Sequence, residues 1–134
     1  MIPEVIGAFR LGDKKLLLEV TEGDARRGMM GYFQAREQLG VESDPRILDV
    51  RGLDVVKAEI GENDVPHIQV SFVGQHVAVE RSTKKENLGE ITNPLQEHDI
   101  VNVYYSWTLR RDYASPLYNW KIVQFHFQAI KALV

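Results

Sequence analysis

The strongest constraint on how this chain can fold is a change of period at Gly40. Before it, apolar residues recur at helical spacing; after it, they alternate as along strands. Helices first and a run of long strands afterwards predict an α+β fold, with amino-terminal helices packed on one face of a four-stranded antiparallel sheet. Pro3 suits a first helical turn, where its missing N–H costs little. Ile2, Val5, Ile6 and Phe9 then follow at helical spacing. Asp13 is the expected N-cap of a second helix from Lys14 to Val20, and Gly23-Asp24 repeats the device. A third helix is expected from about Ala25 to Leu39, turning Ala25, Met29, Tyr32, Phe33 and Leu39 to the core, with Gly40 as its stop. Gly28 and Gly31 inside it each cost about 1 kcal/mol against alanine, which marks either close packing or a frayed helix.

Beyond Gly40, Ile47 to Ile60 reads as a strand with a bulge at Gly52, and Gly61 to Asp64 as a turn. Pro66 opens the next strand, where Ile68, Val70 and Phe72 share a face. Val73, Val77 and Val79 have the opposite parity, so a bulge near Val73-Gly74 is expected. Residues 82–99 form a polar connection containing Lys84, Lys85, Glu86 and Asn93-Pro94. The last strands are expected at about 99–111 and 119–131. The first of these turns Val101, Val103, Tyr105, Trp107 and Leu109 one way. The second turns Val123, Phe125, Phe127 and Ala129 one way and Trp120, Ile122 and Ile130 the other.

The bulk numbers exclude several classes. At 134 residues the chain suits one domain, 1–134, with a real core. A net charge of -3 argues against a general nucleic-acid binder. The absence of cysteine removes disulfide and thiolate chemistry. No apolar run approaches the roughly 20 residues that span a bilayer, and no signal or transit peptide is visible. Residues 1–40 balance six basic against six acidic side chains, whereas a membrane-surface helix normally carries a basic excess.

The chain carries no recognisable catalytic or metal-binding motif. His67, His76, His98 and His126 form no metal-ligand spacing and read as satisfied or solvent-facing histidines. Ser71, Ser82, Ser106 and Ser115 have no recognisable base beside them, and Gly28-Met-Met-Gly31 is not a phosphate loop. Asp49 and Asp54 fall on opposite faces of their strand unless the Gly52 bulge realigns them. Arg110-Arg111-Asp112 reads as strand-end capping and ion pairing. No catalytic residue, metal site or cofactor is expected. The aromatics Phe72, Tyr105, Trp107, Phe125 and Phe127 read mainly as core. They are also the candidate pocket and partner-binding residues, because Trp and Tyr inside a protein need partners for their polar atoms.

Four segments, in order, resemble the Tim-44-like domain, the carboxyl-terminal domain of the mitochondrial inner-membrane translocase subunit of 44 kDa. Ile2-Pro-Glu-Val-Ile-Gly-Ala-Phe-Arg-Leu-Gly-Asp13 resembles the family's first helix, and Ile47-Leu-Asp-Val-Arg-Gly-Leu-Asp-Val-Val-Lys-Ala58 its first strand. Val65-Pro66 with Val70 to Arg81 resembles the second strand and its arm. Tyr105 to Asp112 with Asn119-Trp-Lys-Ile122 resembles the final pair. The resemblance implies a cystatin-like or nuclear-transport-factor-like sheet with an apolar pocket. It implies a non-catalytic scaffold of the import motor, peripheral on the matrix side of the inner membrane. The partners it implies are the translocase channel, the mitochondrial seventy-kilodalton heat-shock chaperone, precursor polypeptides and cardiolipin-containing membrane surface, and no nucleic acid. The chain is expected to be a fragment of a longer protein, starting after or within the family's amphipathic helices.

Two other readings differ in mechanism. A mitoribosomal large-subunit protein anchoring the ribosome to the inner membrane would share the fold, but must contact phosphates, which the low basic charge disfavours. A small pocket enzyme of the isomerase or dehydratase type would use His76, Tyr105 and Asp112. It requires a histidine and a carboxylate within hydrogen-bond reach in the pocket.

Overall fold

The computed structural model describes residues 1–44, 46–92, 99–115 and 117–131. The segment 93–98, with His98 and Asn93-Pro94 of the expected polar connection, lies outside the described residues, as does Pro116. Three helices lead: α1 (Ile2–Leu11), α2 (Lys14–Val20) and α3 (Gly23–Leu39). The strands are β1 (Val41–Ser43), β2 (Ile47–Ile60), β3 (Pro66–Val77), β4 (Glu80–Ser82), β5 (Ile100–Arg111) and β6 (Trp120–Lys131). The long strands form one antiparallel sheet in the order β2-β3-β5-β6, and β1 pairs with β4 in a small ribbon that local periodicity does not reveal.

The helices stop where their caps dictate. The Asp13 carboxylate accepts from the Leu16 N–H at the start of α2. Gly40 ends α3 at φ 69, a left-handed conformation that costs a glycine little. Val5, Ile6, Phe9, Leu17, Val20, Met29 and Phe33 pack from the helices onto Val70, Phe72, Val103, Tyr105, Trp107, Leu109 and Ile122 of the sheet. Leu39 departs from its expected place and is 65% exposed. It lies six positions past Phe33, about 120° away around a helix of 3.6 residues per turn. Gly28 and Gly31 face open space, so close packing does not explain them.

Register decides which side chains reach the core. β3 pairs with β5 without interruption from His67 to Val77, so the bulge expected near Val73-Gly74 is absent. Parity is kept instead by Gly74 and His76, which take core-facing positions after Phe72, while Val73 and Val77 face away. The bulge at Gly52 is present: pairing jumps from Arg51↔Val73 to Asp54↔Ser71, with Gly52 at φ 68. It brings Asp49 and Asp54 to one face, separated by Arg51, so they form a charged row and not a carboxylate pair. A further bulge at Val123 places Ile122 opposite Leu109 and Gln124 opposite Thr108. Trp120 and Ile122 therefore share the helix-facing side with Phe125, Phe127 and Ala129, and Val123 does not, contrary to uninterrupted alternation.

The helical layer does not cover the whole sheet. α2 and α3 lie against β6 at one edge, and β2 stands at the other. Residues 51–60 of β2 are all exposed, including Leu53, Val55, Val56 and Ile60. Three register irregularities and the charged row Asp49, Arg51, Asp54, Lys57 and Glu59 blunt this open edge against uncontrolled strand pairing.

Candidate functional site

One of several hollows in the fold, and the one walled by aromatic rings, lies where the end of α1 meets the β1–β4 ribbon and the end of the large sheet carrying His76 and Val101. Phe9 is the centre of its aromatic wall. Its ring stacks on Tyr32 at 5.1 Å and meets Phe125 at 4.9 Å and Phe127 at 5.2 Å. Two adjoining cavities of about 220 and 270 Å³ share Phe9, Arg10, Tyr32 and Ser43. The first extends toward Lys14 and Arg36, the second toward Tyr105 and Phe127.

The candidate residues divide. Tyr105 and Phe127 line the second cavity. Phe125 is half-buried against Phe9. Phe72 and Trp107 sit inside the core at 2% and 0% exposure, edge to face at 4.8 Å, and line neither cavity. Phe9 and Tyr32 were legible as core residues but not as cavity walls. Arg10 reads in the sequence only as one of the six basic side chains of residues 1–40 and not as a site residue. Its signal is its place four residues after Ile6 and next to Phe9, which sets a cation beside an apolar stripe.

Three polar side chains meet at the wall of the cavities, Arg10 and Tyr105 lining them and His76 behind. Arg10 Nη2 donates to the carbonyl oxygens of Asp44 at 3.0 Å and Val77 at 2.9 Å, pinning the end of α1 to the turns that flank the ribbon. Its Nε is buried without a partner. Burial makes the Arg10 guanidinium easier to deprotonate than an ordinary arginine. His76 Nε2 lies 3.0 Å from Tyr105 Oη, and its Nδ1 is buried without a hydrogen bond. Burial first, and the positive charge of Arg10 second, hold the His76 pKa down at about 4, so the ring is neutral near neutral pH. Burial also raises the Tyr105 phenol above its ordinary range. His76 and Tyr105 are thus held in their neutral forms beside the Arg10 cation, and the pair is poorly suited to exchanging protons.

The geometry also disposes of the isomerase or dehydratase arrangement. Asp112 lies at the far end of β5, 3.7 Å from Arg110, and accepts from the Ala114 N–H. Arg110 is held mainly by Glu22, at 2.5 and 2.9 Å. Among the described residues no histidine is ion-paired with a carboxylate, and no group of three or more His, Asp or Glu side chains is placed to hold a metal ion. His76, Tyr105 and Asp112 therefore do not converge.

Comparison with known proteins bears on the whole architecture. The model of the Tim44-like domain matches residues 1–126, from α1 into β6. Among curated proteins, the mitochondrial import inner membrane translocase subunit TIM44 of Saccharomyces cerevisiae is 27% identical over 130 residues. That alignment covers 93% of this chain and 29% of the yeast protein, so the chain spans less than a third of its relative's length.

Proposed function

Because this chain belongs to the Tim44-like domain family, we propose that it is a non-catalytic binding domain of a mitochondrial protein-import translocase. The observation that carries this reading is the continuity of the match through the helices and three of the long strands into the fourth, β6. In this reading residues 1–134 act as one domain of a longer scaffold, peripheral on the matrix side of the inner membrane. The scaffold links the import channel to the matrix seventy-kilodalton heat-shock chaperone while precursor polypeptides enter. Cardiolipin-containing membrane is its surface of attachment. The polar cluster at the wall of the cavities supports a role without proton transfer, since burial keeps His76 neutral and Tyr105 protonated.

Recovery of channel subunits or the chaperone on the immobilised 134-residue chain, from detergent-solubilised mitochondria, tests the reading. Enrichment above an unrelated acidic domain of similar size is expected. Recovery equal to that control refutes it. Flotation of the chain with vesicles containing and lacking cardiolipin separates membrane attachment from protein docking.

A further inference from the structure

Three cations border the two cavities, and their partners differ. Lys14 Nζ lies 2.5 Å from Glu37 Oε1, and Arg36 Nη1 lies 3.0 Å from Glu80 Oε1. Each is matched by a carboxylate. Arg10 is not: among the described residues it forms no ion pair. The nearby carboxylate of Asp44 is already bound by Arg46 Nε and Nη2. Two backbone carbonyls satisfy Arg10 Nη2, but carbonyl dipoles do not cancel a unit charge. Nη1 makes no hydrogen bond among the described residues, and it is not among the buried unpartnered atoms, so it remains accessible. Placing a guanidinium beside apolar rings without a counter-ion costs free energy that a bound anion would recover.

We propose that the paired cavities bind a small carboxylate carried on an apolar chain, the carboxylate resting on Arg10 and the chain running along Phe9, Tyr32 and Phe127. The apolar walls and the shared Phe9–Arg10–Tyr32 lining supply both halves of that recognition in one place. Together the cavities fall within the size range of small-molecule pockets, roughly 300–1,000 Å³. A single negative charge is favoured over a doubly charged phosphate for two reasons. Both hydrogens of Arg10 Nη2 are committed, which leaves no two-pronged face of the guanidinium. The borders also carry Glu37, Glu42 and Glu80, which repel a second charge. The same chemistry is offered by a free fatty carboxylate and by a carboxylate-bearing lipid headgroup.

Calorimetric titration of the full chain with octanoate, 1-octanol and octyl phosphate tests the site, beside flotation with phosphatidylserine vesicles to identify the source. Octanoate is expected to bind at least tenfold more tightly than octanol, and Arg10→Gln is expected to erase that preference. Equal affinity for octanoate and octanol overturns the proposal, as does a preference that survives Arg10→Gln or tighter binding of octyl phosphate. Vesicle binding that octanoate displaces supports the same site with a lipid headgroup as its source. Arg10 also ties α1 to the ribbon, so Ala129→Trp provides a second variant. It fills the second cavity and leaves Arg10 in place. A tenfold loss of octanoate affinity supports the site, and unchanged affinity overturns it.

Discussion

Acidification should expose His76 as a built-in weakness of the fold. Its side chain is completely buried, and its pKa is held at about 4 against 6.5 for the ordinary group. The folded pKa lies below the unfolded one, so the unfolded chain takes up the proton first. Stability is therefore unaffected by this group well above pH 6.5, declines as pH falls through 6.5, and levels off below about 4. Between about pH 7.5 and 5, the two pKa values imply a loss of at most about 2 kcal/mol from this residue alone. That is a large fraction of the roughly 5–15 kcal/mol that holds a typical domain together. Urea unfolding across this range, for the natural chain and for His76→Gln, isolates the effect. Glutamine keeps a polar group near Tyr105 Oη and does not titrate, and the rest of the chain is common to both proteins. The natural chain should lose up to about 2 kcal/mol more than the variant on acidification. Parallel losses in the two proteins would refute the reasoning, because His76 would then charge as easily folded as unfolded.

Other substitutions test the packing. Trp107→Ala should cost about 3–5 kcal/mol in thermal or urea unfolding, since the ring is fully buried between Phe72 and Phe125. Trp107→Phe should cost less than about 1.5 kcal/mol, because it also removes an indole N–H that is buried without a partner. Gly74→Ala would place a Cβ 2.7 Å from His76 Nε2 and 3.2 Å from Tyr105 Cε2, predicting a loss of about 1–3 kcal/mol that shrinks in a His76→Ala background. Gly31→Ala should raise the stability by about 0.5–1 kcal/mol, because the position is helical and exposed and its new methyl meets nothing.

The amino-acid sequence by itself determined the order, type and approximate ends of the long elements. These depend on local causes: helical spacing up to Gly40, the Asp13 cap, the left-handed stop at Gly40, and alternation from Ile47 onward. The Gly52 bulge was legible for the same reason, because a glycine interrupting a strand carries its own conformational signature. The bulge at Val123 carries no such mark, and pairing with β5 alone turns Trp120 and Ile122 toward the helices. Tertiary structure also decided that His76 occupies a core position, since Gly74 makes room for it, and that Leu39 misses the stripe its helix buries. It decided which long strand stays uncovered: the helices lie toward β6, so Leu53, Val55, Val56 and Ile60 of β2 remain exposed. The candidate site was illegible for a related reason. An arginine in a sequence is one charge among many. Whether it has a counter-ion depends on where distant carboxylates come to rest, and here Asp44 rests on Arg46, Glu80 on Arg36 and Glu37 on Lys14, leaving Arg10 facing the cavities alone.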